Sequence, residues 1–182
     1  MQADHVYLSG RVRLIQGDIV RIKADVIVNA ANSTLMGGGG VDGAIHAAGG
    51  PLILGECQKI RVTRYPSGLP AGEAVVTAAG WLQARYVIHT VGPIWRGGRA
   101  DESELLGKCY RNSLELAESL GAESILFPSI ATGVYGYPKD LAAHAVWKIV
   151  GTFVRAHAQP KAIGLVFYTA RDLQTFKERS PE

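Results

Sequence analysis

Two carboxamides, a carboxylate and a run of glycines crowd into one short stretch. Asn29-Ala30-Ala31-Asn32 is followed by Gly37-Gly38-Gly39-Gly40 and then by Val41-Asp42-Gly43. Amide side chains both donate and accept hydrogen bonds, and a carboxylate can accept a proton or polarise a water. A loop without Cβ atoms lets backbone N–H groups turn against a ligand, and a helix beginning at its end adds positive partial charge. The type of ligand this arrangement favours is an anion. Taken alone each residue has a plainer role: Asp42 as a first-turn helix acid, Asn29 and Asn32 as turn formers. The Gly-Lys-Ser/Thr ending of a P-loop is missing, as is a GxGxxG fingerprint in its strand–turn–helix setting.

A second small-residue segment, Ser129-Ile130-Ala131-Thr132-Gly133-Val134-Tyr135-Gly136-Tyr137-Pro138, joins the end of an apolar run to a helical pattern. It is another candidate anion cradle, and Tyr135 between glycines could present its ring to a ligand. His46, four residues beyond Asp42, would share its helix face as a structural neighbour. His89 in an apolar run reads as a satisfied core histidine, and Trp81, Trp95 and Trp147 read as packing groups. Cys57 and Cys109 read as small core thiols of a reducing compartment, with no zinc-like ligand spacing around them.

These segments must be held by regular elements. Strands are expected over Val12–Ile15, Val26–Val28, Ala74–Thr77, Tyr86–Thr90, Ile125–Phe127 and Ile163–Tyr168. Helices are expected over Val41–Ala48, Leu52–Ile60, Glu102–Leu120, Asp140–Arg155 and Asp172–Lys177, with Val62 to Pro70 a basic loop near Arg61 and Arg64. This alternation predicts an α/β sandwich about a central sheet. In such folds ligands lie beyond the carboxyl ends of strands, and the strands ending at Val28, Phe127 and Phe167 all run into unusual sequence.

The chain has 182 residues, 47% hydrophobic and 19% charged, which suits a single domain spanning 1–182. Its net charge of +3 is too mild, and too little clustered, for a nucleic-acid binder. Arg11, Arg13, Arg21 and Lys23 read as an exposed strand and turn. No leader or membrane span is legible, so a soluble cytoplasmic protein is expected.

Taken together, Gly17-Asp18-Ile19, the Asn29 to Gly43 block, Val87-Ile88-His89-Thr90-Val91-Gly92-Pro93 and Ser129 to Pro138 resemble a macrodomain of the MacroD-like class. The likeness runs from about Val12 to Tyr168. It implies a three-layer α/β/α sandwich with a central mixed sheet and an ADP-ribose cleft at the strand ends. It further implies that Asp18 accepts from the adenine amine, that the Ile19 backbone helps hold the base and that the Tyr168 ring packs on it. Asn32 and Asp42 would face the distal ribose. Gly38, Gly39, Gly40 and Val41, with Ser129, Ala131, Thr132, Gly133, Val134 and Tyr135, would surround the diphosphate and that sugar.

The activity this resemblance implies is removal of ADP-ribose from acidic side chains of mono-ADP-ribosylated proteins, and deacetylation of O-acetyl-ADP-ribose. No nucleophile set is evident, so a positioned water is expected to attack, with no metal and no cofactor. Asn32 would orient ribose or water and Tyr135 would fix the sugar; whether Asp42 or the substrate's own phosphate activates the water stays open. The alternative is a non-catalytic ADP-ribose reader, against which the Asn32 and Asp42 pair weighs. Two departures stand out: Ala131 lacks a hydroxyl where the family commonly has serine, and Tyr135 stands where phenylalanine is also common.

Overall fold

The structure, a computed structural model, describes residues 5–180. One seven-stranded sheet runs β1 (His5–Tyr7), β2 (Val12–Gln16), β7 (Ala162–Phe167), β6 (Ser124–Phe127), β3 (Val26–Ala31), β5 (Tyr86–Val91), β4 (Ala74–Ala78) in spatial order. The five central strands are parallel and the two edge strands antiparallel, so the sheet is mixed. A parallel centre must be covered on both faces, and it is. One apolar cluster joins the sheet to α3 (Glu102–Ser119), α4 (Lys139–Ala156) and α5 (Ala170–Glu178). The other joins it to α1 (Gly40–Gly49), α2 (Pro51–Thr63) and the 3-10 turn Ile19–Arg21. This is the three-layer α/β/α sandwich.

The strands alternate their loyalties as a pleat demands. Val26, Val28 and Phe127 face the first cluster, while Ile27, Ala31 and Leu126 face the second. Leu14, Ile27, Ile45, Ile53, Ile88, Leu106 and Leu114 are fully buried, and each such side chain contributes about 1.5–3 kcal/mol. Tyr110 stacks on Phe127 with ring centroids 4.8 Å apart, and Trp147 donates its indole N–H to the Phe176 carbonyl at 2.9 Å.

Several expectations need correction. β3 runs on to Ala31, so Asn29 lies inside a buried strand rather than past it. Its place opposite His89 gives a partner to the amide nitrogen of a residue that strand propensity alone disfavours. α2 continues through Val62 and Thr63, which the sequence placed in the following loop. β7 stops at Phe167, because β2 ends where the Gly17 N–H reaches the Phe167 carbonyl, and Tyr168 falls just outside. β1 was not foreseen.

Two side-chain readings change as well. Trp81 is 77% exposed rather than packed inside, its ring lying over Gly50. Arg11 is not a free surface residue: its guanidinium donates to the carbonyls of Val154, His157 and Pro160, tying β2 to the end of α4.

What matters for a site is that β2, β7, β6 and β3 are adjacent and parallel. Their carboxyl ends form a row about 14 Å long, at about 4.8 Å per strand spacing, and carry Asp18, Tyr168, Ser129 and Asn32 in that order.

Candidate active site

Along this row lie two adjoining cavities of about 600 and 360 Å³. They share Gly40, Val41, Ser129 and Gly133, so they form one bent cleft. The larger is walled by Asp18, Ile19, Val166 and Tyr168, with Thr132 and Pro128 toward its middle. The smaller holds Asn32, Asp42, Gly39, Ala131, Val134 and Tyr135. Gly38 lines neither. A Cβ built on it would stand 3.2 Å from both the Asn32 amide nitrogen and the Asp42 carboxylate, so it underlies that pair instead.

The middle of the cleft is built for an anion. Gly40 and Val41 open α1, whose first intrahelical bond is Gly43 N–H to the Gly39 carbonyl. The amides before it have no acceptor within the helix and carry the positive end of its dipole. Lys139 opens α4 in the same way, beyond Pro138, and also lines the larger cavity. Two helix N-termini therefore converge where a diphosphate would need donors. The loop between Ser129 and Pro138 folds on itself through Gly136 N–H to Gly133 O and Tyr137 N–H to Ala131 O. Ala131 holds a φ of 64°, a left-handed backbone that a non-glycine residue adopts only at a cost. Val134 lines the smaller cavity at its rim, with its side chain wholly in solvent.

At the narrow end Asp42 is 5% exposed. Its Oδ1 accepts from the Asn29 amide at 2.7 Å, and the Asn32 amide stands 3.5 Å from its Oδ2. The same Asn32 amide donates to the Gly37 carbonyl at 3.0 Å, while its oxygen accepts from the N–H and hydroxyl of Thr34. Asn32 is thereby locked in one orientation. His46 Nε2 lies 3.5 Å from Asp42 Oδ1, on the same helix face, as its spacing foretold. At the opposite end Asp18 caps the 3-10 turn by accepting from Val20 N–H at 3.2 Å, and Arg21 stands 3.4 Å from its other oxygen. Tyr168 is 81% exposed, its ring free to receive a flat ligand.

Supporting residues complete the frame. Arg61 donates to the carbonyls of Tyr65, Thr34 and Pro66, bracing the segment after Asn32. Glu102 accepts from the N–H groups of Arg96, Gly98 and Ala100; burial pushes its carboxyl up, but these bonds outweigh it and hold the carboxyl below its usual value. That loop in turn fixes Trp95, whose N–H donates to the Tyr135 carbonyl at 2.8 Å. The sequence reading missed Lys139 and Asp172, an ion pair lining the larger cavity and joining the starts of α4 and α5. The position of Lys139 directly after Pro138 was the available signal.

Among the described residues one set of donor atoms sits close enough for a metal ion: His46, Cys57 and His89, all within 4.8 Å of one another. Their chemistry fits hydrogen bonding better. Burial, then Asp42 and Glu56, push the Cys57 thiol up to about 12, and His89 Nε2 already meets the Thr77 hydroxyl at 2.9 Å.

The macro domain family model matches residues 28–146, spanning the glycine block, β5 and the Ser129 to Pro138 loop. The chain belongs to the macro domain family. It is 54% identical over 161 residues to the O-acetyl-ADP-ribose deacetylase of Escherichia fergusonii, covering 88% of this chain and 90% of that protein. The protein of the same name from Escherichia coli K12 is 48% identical over 167 residues, covering 92% and 93%. Among solved structures, the Oceanobacillus iheyensis macrodomain with ADP superposes with a TM-score of 0.89 at 43% identity, covering 92% of this chain and 88% of that one. The Trypanosoma brucei macrodomain in complex with ADP-ribose gives 0.83 at 37% identity, covering 93% and 68%.

Proposed function

We propose that this protein binds ADP-ribose along the bent cleft and hydrolyses esters of its distal ribose. The observation that carries the reading is the Asn32 and Asp42 pair, a buried carboxylate and a locked amide at one end of an anion-binding cleft. Adenine would lie between Asp18 and Tyr168, the diphosphate at the starts of α1 and α4, and the distal ribose beside Asn32, Asp42 and Tyr135. A charge-assisted hydrogen bond such as Asp18 to the adenine amine contributes about 1.5–3 kcal/mol. Relatives named O-acetyl-ADP-ribose deacetylase, and neighbours solved with ADP and ADP-ribose, support the same reading.

In the reaction a water oxygen bonds to the ester carbonyl carbon and the bond from that carbon to the ribose oxygen breaks. Asp42 takes the water's proton and passes it to the released ribose oxygen, which restores the carboxylate, and the products are ADP-ribose and a carboxylic acid. Asn32 orients the sugar and Tyr135 limits its motion, so the water meets a substrate already aligned. Acetate is one acyl group this geometry accepts; the acidic side chain of a mono-ADP-ribosylated protein is the other. The narrow end supports the second because its rim residues Gly39 and Val134 are exposed.

The test is release of acetate from O-acetyl-ADP-ribose, and of ADP-ribose from a glutamate-modified protein, by wild type, Asp42→Ala and Asn32→Ala. Both variants should fall at least about a hundredfold in kcat. A wild type that binds ADP-ribose and cleaves neither substrate would make the protein a reader.

A further inference from the structure

Behind Asp42 lies a chain of polar side chains that the reaction above does not employ. Asn29 on β3, His89 on β5 and Thr77 on β4 are all buried, none more than 2% exposed. The Thr77 hydroxyl lies 3.0 Å from the Ala78 carbonyl and 2.9 Å from His89 Nε2. A hydroxyl owns one hydrogen, and a carbonyl can only accept it, so Thr77 must accept from His89. The ring proton is thereby fixed on Nε2, and Nδ1 is left as a bare lone pair.

That lone pair faces the Asn29 amide nitrogen at 3.1 Å. Asn29 gives it one hydrogen and gives the other to Asp42 Oδ1 at 2.7 Å. Turning the amide over would set its oxygen against two acceptors at once. A protonated ring would instead set an N–H against the amide hydrogens. Burial first, and His46 second, hold His89 down to about 3, so the ring stays neutral.

We propose that Thr77, His89 and Asn29 are positioning residues for Asp42. Their hydrogen bonds run across β4, β5 and β3 in one direction, fix which hydrogen the carboxylate receives, and hold its other oxygen toward Asn32 and the cleft. The proposal rests on Asp42 as the group that handles the attacking water. The groups facing the chain from its neighbours are His46 and Asp42 on α1, and Cys57 and Glu56 on α2. Cys57 Sγ lies 3.8 Å from His89 Nε2, and as a protonated thiol it does not draw the ring proton away from Thr77.

The experiment compares Thr77→Val, which keeps the shape and loses the hydroxyl, with Thr77→Ser, which keeps the hydroxyl. Acetate release from O-acetyl-ADP-ribose, ADP-ribose affinity and the nitrogen NMR shifts of His89 are read on each. Thr77→Val should lose about tenfold in kcat with ADP-ribose affinity within about twofold of wild type, and Thr77→Ser should turn over like wild type. In wild type His89 should be the neutral Nε2–H tautomer throughout the working pH range. Equal rates for the Val variant and wild type would overturn the proposal, as would equal losses in the Val and Ser variants or a ring carrying its proton on Nδ1. A wild type without activity refutes the proposed function instead, and the tautomer then decides the chain by itself.

Discussion

The Gly38 carbonyl oxygen sits against Gly43, within the space that a Cβ on residue 43 would occupy. The glycine loop thus rests directly on the first turn of α1, and Gly38 in turn lies under Asn32 and Asp42. A methyl group at position 43 has backbone, not a flexible side chain, as its obstacle. Gly43→Ala should therefore lift the loop, costing about 1–3 kcal/mol of stability. It should weaken ADP-ribose binding by about tenfold. Calorimetric titration alongside a thermal melt checks both; a variant with unchanged affinity would show that the loop adapts.

Asp18 serves two ends at once, capping the turn after β2 and offering its carboxylate to the cleft. Asp18→Asn keeps an oxygen for the cap but loses the charge. We expect it to retain most of the thermal stability, while Asp18→Ala loses about 0.5–2 kcal/mol with the cap. Both should bind ADP-ribose about tenfold more weakly. Equal affinity in wild type and the Asn variant would remove the adenine contact.

Arg61 braces the segment after Asn32 through three carbonyl oxygens on two different loops. A lysine cannot reproduce that planar fork. Arg61→Lys and Arg61→Ala should therefore behave alike, each losing about 1–3 kcal/mol of stability and slowing turnover through a loosened Asn32. Retention of wild-type kinetics and melting by the lysine variant would show that charge alone suffices.

The neutral His89 also gives folding a pH dependence of known sign. Its unfolded value is 6.5 and its folded value about 3, so between those values the unfolded chain binds a proton that the native chain refuses. Stability is full above about pH 6.5 and is lost as pH falls toward 3, at up to about 1.4 kcal/mol per pH unit. Urea unfolding of wild type and His89→Gln at several pH values between 7 and 4 should show a shallower loss in the variant. Parallel curves would mean that the ring takes up its proton in the native state as readily as in the unfolded chain.

How the chain displays itself in sequence follows from which interactions are local. The glycine run, the helix start beside Asp42 and the spacing of His46 from Asp42 depend on neighbours a few residues away, and the structure keeps all three. Asn29 reads as a turn residue in the sequence because its partner His89 is 60 positions distant and comes beside it only through strand pairing. Arg11 reads as an exposed residue in the sequence because the carbonyls it holds lie on and beyond another element, α4. Lys139 escaped notice for the same reason, since Asp172 is 33 residues away. The distribution of apolar runs was enough for the sandwich and the strand ends of the cleft. The polar wiring behind them depends on pairings between distant strands and helices, which no local pattern displays.

The strand order carries a consequence for how the protein is made. β7 follows every other described strand in the chain, yet it lies between β2 and β6. Until it inserts, the strand bearing Asp18 has no parallel neighbour to join it to the strands bearing Ser129 and Asn32. During synthesis the two halves of the cleft therefore stay unconnected until β7 has emerged, and its insertion completes the row of strand ends in a single step.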